Sequence, residues 1–317
     1  MARIPALARE QSRPRRRMGP LVVRDTINGL LFIAPWLVGL LIFTLYPILA
    51  SFYYSFTEYD IVSAPKFVGL DNYQALLTTD PLFYRGVRNT LFYAAVAIPL
   101  NITAAIGVSL LLNMRVRGMA FYRTIFFLPS IVPDIASAML WAWILNPQFG
   151  LANGLLRWLG LPTVGWLSDP SWSKPSLALI GLWGFGASVV IFLAALQDIP
   201  QHLYEAAELD GANTPRKIWH VTLPMLTPTI FFNLVLGVIG SFQYFTTAYV
   251  LTNGEGGPAS STLFYALLLY RNAFKYFKMG YASAMAWLLF AFILVITLII
   301  FKTSGRWVYY EGESSDG

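Results

Sequence analysis

Six long apolar runs, separated by shorter polar stretches, set the pattern of this chain. They cover roughly 27–49, 90–112, 124–145, 175–196, 225–251 and 281–301. Each is close to the about 20 residues that a helix needs to cross a bilayer core. The pattern therefore predicts six transmembrane helices and an all-α integral membrane protein. Composition points the same way. Of 317 residues, 56% are hydrophobic and only 12% charged, about half the charged share of a soluble domain. That leaves too little polar surface to cover a water-soluble body. Cysteine is absent, which excludes a disulfide framework, a thiol nucleophile and a thiolate metal site. No strong internal repeat is visible, unlike carriers built from obvious duplicated halves.

The chain divides into an arginine-rich segment (1–26), a six-helix membrane domain (27–302) and a short tail (303–317). Arg3, Arg9, Arg13, Arg15, Arg16, Arg17 and Arg24 all precede the first run. Arginines ahead of a span hold that end in the cytoplasm and touch anionic lipid. This accounts for them better than a nucleic-acid arm, so no nucleic-acid partner is expected. The first run is longer than the core of a signal peptide, and no small-residue cleavage site ends it. With the N-terminus inside, Arg115, Arg117, Arg123, Arg216, Lys217, Lys302 and Arg306 also fall inside, which predicts cytoplasmic termini. Arg271, Lys275 and Lys278 in the last external loop run against this bias. The external segments read as structured. Residues 151–159 suit a short amphipathic helix, and the aromatics of 265–277 suit a helix lying at the outer interface.

One polar island interrupts the apolar pattern, at about 198–224 between the fourth and fifth runs. On this topology it lies in the cytoplasm. Pro200 can start a helix, and Gln201 to Leu209 are mostly good helix formers. Asp210-Gly211 reads as a helix stop, with glycine free to take positive φ. Thr214-Pro215 is a second start signal, a hydroxyl cap followed by proline. Pro224 marks the junction with the fifth span. The product is a helix-turn-helix elbow. Its alanines permit close approach, its carboxylates flank them, and a glycine turns the chain.

The sequence Glu205-Ala206-Ala207, then Asp210-Gly211-Ala212, then Leu223-Pro224-Met225-Leu226 resembles the EAA signature of binding-protein-dependent ABC importer permeases. The likeness extends from about Ile27 to Phe301. Phe126-Phe127-Leu128-Pro129-Ser130, Trp141-Ala142-Trp143-Ile144-Leu145-Asn146-Pro147 and Met279-Gly280-Tyr281-Ala282-Ser283-Ala284 look like the carbohydrate-uptake branch. That branch holds the first permease of maltose-type and glycerol-3-phosphate-type systems. The resemblance implies the fold of a type I ABC importer permease in the bacterial plasma membrane. It implies that Glu205, Ala206, Ala207, Asp210 and Gly211 contact a cytoplasmic ATPase. The partners it implies are a second homologous permease, two copies of that ATPase and an extracytoplasmic solute-binding protein, within membrane lipid. The chain has no Gly-x-x-x-x-Gly-Lys-Ser/Thr phosphate loop. It is therefore expected to be no enzyme and to carry no cofactor, with ATP and Mg bound by the partner ATPase.

Polar groups within the spans mark the expected route of the cargo. Ser241, Gln243, Tyr244, Thr246 and Thr247 alternate with Phe242 and Phe245 in the fifth run. Hydroxyls and an amide beside aromatic faces suit a sugar. Trp183 and Gly184 in the fourth run leave room beside an indole. In relatives with a membrane sugar pocket, the corresponding fourth and fifth spans build it, which implies Trp183, Gly184, Ser241 and Tyr244. Each of these residues suits helix–helix packing equally well. Asp134 follows Pro133 in the third run; an Asp beside a helix break can satisfy freed backbone N–H groups, a structural role that competes with a place in the route. Gly237 and Gly240 read as packing, and the tryptophans at 36, 141, 143, 158, 166 and 172 as interface anchors or core. His202 and His220 lack partners at metal-ligand spacing. The competing functions are an importer permease for a non-sugar solute and an ion-coupled secondary carrier with Asp134 as its lone acid. A membrane enzyme would need an acid–base or metal constellation.

Overall fold

The computed structural model describes residues 20–114 and 116–309. Six of the seven N-terminal arginines, Arg115 and the end of the tail lie outside these residues. The chain forms two units, 1–53 and 54–317. In the first, α1 (Pro20–Leu40) runs through a π-helical turn (Leu41–Leu45) into α2 (Tyr46–Tyr54). Arg24–Tyr54 is one apolar helical stretch of 31 residues, longer at both ends than the expected 27–49.

The second unit opens with two short antiparallel strands, β1 (Thr57–Glu58) and β2 (Lys66–Phe67), with Thr57 opposite Phe67. The Asn72 side chain donates to the carbonyls of Ser55 at 3.0 Å and Thr57 at 2.9 Å, tying α3 (Asp71–Thr78) to this corner. Next comes α4 (Pro81–Leu112), the axis of the unit. It begins at Pro81 rather than near Thr90. Asp80 caps it, accepting from the backbone N–H groups of Leu82 at 2.8 Å and Phe83 at 3.3 Å, and Pro81 fills the first turn. The helix outruns the apolar stretch because Arg85, Arg88 and Asn89 sit on its outer turns.

The third span, expected at about 124–145 with a break at its prolines, is sharply bent. It consists of α5 (Met119–Phe127), a 3-10 turn (Leu128–Ile131) and α6 (Asp134–Ile144), with the arms bent by 99°. Pro129 and Pro133 each remove a backbone donor, and Val132 ahead of Pro133 is extended, at ψ 129°. After α7 (Leu151–Trp158), the fourth span is α8 (Pro170–Trp183) and α9 (Gly186–Asp198), bent by 53°. A Cβ at Gly186 would collide with the Phe126 carbonyl oxygen, so glycine is what lets α9 approach α5.

The elbow follows as α10 (Gln201–Leu209), α11 (Thr214–Lys217), a π-helical turn (Ile218–Thr222) and α12 (Leu223–Met225). The fifth span is α13 (Thr227–Phe242) and α14 (Thr246–Thr252), interrupted at 243–245. After α15 (Tyr265–Tyr270), the sixth is α16 (Met279–Ser304). Among the described residues, four helices are long and apolar enough to cross a membrane, and the two bent pairs bring the number to six.

The core runs along α4, which α8, α9, α13 and α15 surround. An outer cluster joins Leu76, Phe83, Leu177, Phe264 and Met285. A second joins Ala105, Leu112, Phe192, Leu196 and Leu226, and a smaller third joins Ala94, Val238 and Phe242. The first part of the 265–277 segment belongs to the core rather than to an interface. Tyr265, Leu267 and Leu268 are buried; the Tyr265 hydroxyl donates to the Met285 carbonyl at 2.7 Å, and its backbone N–H donates to the Thr90 hydroxyl at 2.9 Å. Further along, Phe274, Tyr276 and Phe277 are exposed. The cations of this loop also have a local explanation. Arg271 and Lys275 pair with Glu255, and the 2.6 Å hydrogen bond from Lys275 holds that carboxyl below its ordinary range.

Asn153 pins the hairpin around α7. Its amide donates to the carbonyls of Pro147 and Val164, and its Oδ1 accepts from Val164 N–H and Trp166 Nε1, all within 3.1 Å. It is fully buried. Asn153→Ala should destabilise this region by about 1–3 kcal/mol, because four part-buried polar groups lose their partner. Asn153→Asp, which keeps the acceptor but turns a carboxylate oxygen toward the Pro147 and Val164 carbonyls, should cost no less than the alanine. Thermal unfolding of the purified protein in detergent reads both.

Candidate functional site

Two constructions stand out. The first is the elbow, which a Schellman stop shapes. Gly211 takes φ +77°, the Ala212 N–H donates to the Ala207 carbonyl at 2.9 Å, and the Gly211 N–H donates to Glu208 at 3.0 Å. Asn213, not Thr214, caps the next helix, its side chain accepting from Arg216 N–H at 3.1 Å; Pro215 sits one position further in. The Asn213 side-chain carbonyl oxygen, one residue earlier, reaches the third N–H of the turn. Two contacts brace the elbow internally. Lys217 Nζ meets Glu208 Oε1 at 2.7 Å, and the Tyr204 and Thr222 hydroxyls share a 3.0 Å hydrogen bond. Leu203 and Tyr204 pack on the second core cluster. Glu205, Ala206, Asp210 and Gly211 are exposed and Ala207 is half-buried. The chain's far end returns to this side: Tyr309 N–H donates to the Thr227 hydroxyl at 2.9 Å.

The second construction is a cavity of about 330 Å³ where three helix breaks meet. Pro129, Ser130 and Val132 come from the third-span bend. Trp183 and Gly184 come from the fourth-span bend. Gln243, Tyr244 and Phe245 come from the fifth-span interruption. Asp134, Ser137, Thr246 and Thr247 complete the polar lining. Asp134 is exposed to the cavity in the first turn of α6, where its charge complements the helix dipole. Among the described residues its carboxylate accepts no backbone hydrogen bond, so the expected capping of freed N–H groups is not made. Ser241 lines a neighbouring cavity of about 330 Å³ instead, with Asn101, Ser188 and Asn233; Gly240 and Tyr244 border both. The Tyr244 ring stacks on Tyr93 at 4.3 Å between centroids, and among the described residues its buried hydroxyl has no hydrogen-bond partner. Trp183 meets Trp141 edge-on at 6.2 Å. The cavity therefore offers hydroxyls, an amide, one carboxylate and aromatic faces, and no cation.

Residues 97–309 match the family described as binding-protein-dependent transport system inner membrane component. The chain belongs to this family. It is similar to the probable ABC transporter permease protein YesP of Bacillus subtilis (strain 168), 44% identical over 92% of this chain and 94% of that protein. It is also similar to the arabinooligosaccharides transport system permease protein AraP of the same organism, 34% identical over 89% of each chain. A solved bacterial ABC transporter involved in the import of the acidic polysaccharide alginate has a chain of the same fold. Its TM-score is 0.79 at 25% identity, over 90% of this chain and 97% of that one. The type I importer permease fold and the resemblance drawn from the EAA signature both hold. This permease is a multi-pass membrane component of a transport system rather than its catalytic subunit.

Some residues of the permease's two constructions escaped the sequence reading. Ser137 lines the cavity one turn after Asp134, and that spacing was the available signal. Leu209 and Trp219 leave 91% and 69% of their surfaces exposed on the elbow. Leu209 lies six residues after Leu203, about 120° around the helix from the buried stripe, which was likewise readable. His202 and His220 are exposed, and His220 Nδ1 lies 3.0 Å from the Arg216 carbonyl. Gly211→Ala should cost about 1–2 kcal/mol at this left-handed position. Amide hydrogen exchange at Ala212 should speed up accordingly; an unchanged rate would mean the helix stop does not depend on glycine.

Proposed function

We propose that this permease forms half of the transmembrane pathway of an ATP-driven carbohydrate importer in the bacterial plasma membrane, with both termini in the cytoplasm. The observation that carries the reading is the convergence of three broken spans on one polar, aromatic-lined cavity. Hydroxyl and amide groups there suit sugar hydroxyls, and aromatic faces suit the C–H face of a sugar ring. AraP and the alginate transporter are named for carbohydrates, which supports that class. This half of the pathway carries Asp134 and no counter-charge for a phosphate, so an uncharged oligosaccharide fits it better than a sugar phosphate. Trp183, Gly184, Gln243 and Tyr244 would contact the cargo, with Ser241 just beyond.

The remaining parts follow from what the chain lacks. ATP and Mg would bind two copies of a cytoplasmic ATPase, a second permease would close the pathway, and an extracytoplasmic binding protein would deliver the sugar. Glu205, Ala206, Ala207, Asp210 and Gly211 would dock into the ATPase, joined by Leu209 and Trp219, whose exposed apolar surface would gain from burial. ATPase closure would then move the elbows and shift the two halves between outward and inward states.

Gly211→Val should abolish uptake in cells while the protein still inserts, with substrate-stimulated ATP hydrolysis lost in the purified assembly. Normal uptake by this variant would sink the docking role. Gln243→Ala combined with Tyr244→Phe should lower uptake about fivefold or more, the equivalent of about 1 kcal/mol per lost hydrogen bond, while the ATPase still co-purifies. Unaltered transport there would remove the cavity from the route.

A further inference from the structure

On the outer turns of α4, a pocket of about 360 Å³ collects Arg85, Arg88 and Lys174 without a single acidic residue in its lining. Its floor is fixed. Asn89 is buried and donates to the carbonyls of Ser260 at 2.9 Å and Leu263 at 3.0 Å, which leaves its Oδ1 to accept from Lys174 Nζ at 3.3 Å. Arg85 reaches the Ala259 carbonyl at 3.2 Å. Among the described residues, none of the three cations forms an ion pair, and Arg88 makes no hydrogen bond. Lys174 also lies over the Phe92 ring at 4.8 Å, its ammonium held at the boundary between pocket and span.

The same stretch of α4 borders a second pocket of opposite character. It measures about 230 Å³ and is lined by Phe83, Val87, Tyr265, Leu288, Leu289 and Phe292 among others. Its lining is almost wholly apolar, and it runs along α16 into the span. Tyr84 borders both pockets. Leu91 and Phe92, one to two turns deeper on α4, are 41% and 43% exposed beside them. The cationic pocket and the apolar slot thus meet at one tyrosine, and the slot extends beyond this stretch of α4 along Phe242, Leu289 and Phe292. A soluble anion matches only the first half of this arrangement.

We propose that these two pockets form one binding site for an anionic phospholipid, with the phosphate on Arg85, Arg88 and Lys174 and one acyl chain in the slot beside Val87 and Phe292. Guanidinium groups recognise phosphate oxygens through paired N–H donors, and basic pockets at membrane helices hold anionic headgroups. With no carboxylate in the lining, a zwitterionic headgroup finds no partner for its ammonium group, which selects the anionic class. The site is independent of the cargo cavity and of the elbow.

The test is thermal unfolding of the detergent-purified transporter assembly, titrated with phosphatidylglycerol, phosphatidylcholine or inorganic phosphate. Phosphatidylglycerol should raise the Tm saturably, and phosphatidylcholine should not. The variant Arg85→Gln, Arg88→Gln, Lys174→Gln should weaken the apparent affinity for phosphatidylglycerol at least tenfold. Val87→Phe, which narrows the slot and leaves every cation in place, should weaken it as well. Wild-type uptake in cells by either variant establishes that it is folded, and Arg88→Gln alone, at an exposed position, serves where the triple variant does not assemble. Equal stabilisation by phosphatidylcholine overturns the proposal, as does a full shift with inorganic phosphate that Val87→Phe leaves intact, the mark of a soluble-anion site.

Discussion

A backbone that leaves helical geometry inside a bilayer must find other partners for the groups it frees, or the structure does not survive. This constraint organises the second unit of the permease. Three of its spans break, at Pro129–Pro133, at Trp183–Phe185 and at Gln243–Phe245, and all three breaks face one cavity. Scattered over the lipid surface, each break would expose unpaired carbonyls and amides to hydrocarbon. Gathered around a shared polar volume, they face polar surroundings instead. The helix breaks and the polar cavity are therefore one feature with one cause.

Holding bent helices in place requires rigid supports on both sides. α4 supplies the central one, unbroken for 32 residues despite Pro99 within it. Around it, contacts that need a small residue or a polar pin fix the other elements. Gly186 admits the Phe126 carbonyl, and a Cβ at Gly280 would meet the Thr57 carbonyl oxygen, so α16 can start hard against β1. Tyr281 donates to Asp80 Oδ2 at 2.6 Å, joining the start of α16 to the cap of α4. Such hydrogen bonds stabilise modestly when made and cost more when one partner is removed. They specify where each arm of a broken span must lie.

Much of this was legible in the residues, and the rest was hidden for physical reasons. Apolar length located all six spans, because hydrophobic thickness is a local property of sequence. Prolines at 129 and 133 signalled a break, but not its size; the 99° between the arms is decided by what α6 packs against. The elbow was readable almost to the residue, since Asp210-Gly211 and the good helix formers before it act locally. Its cap was misassigned by one position because Asn213 and Thr214 both carry capping side chains and only the chain's path chooses between them. The 265–277 segment looked interfacial because aromatics at helical spacing serve a membrane surface and a protein core alike. Tyr265's buried bonds to Thr90 and Met285 involve partners distant in sequence, and no local pattern announces them.

The proposed coupling draws on a feature that neither construction shows alone. The apolar cluster that anchors the elbow through Leu203, Tyr204 and Met225 also contains Phe185, in the fourth-span break, and Phe126, in the turns before Pro129. One continuous packed body thus reaches from the elbow to two of the three breaks around the cavity. Close-packed interiors have low compressibility and transmit displacement rather than absorb it. The brace between Tyr204 and Thr222 keeps α10 from hinging against the start of the fifth span. A push on the elbow is therefore expected to arrive at Phe185 and Phe126, next to the breaks that wall the cavity, where the interrupted helices yield most easily.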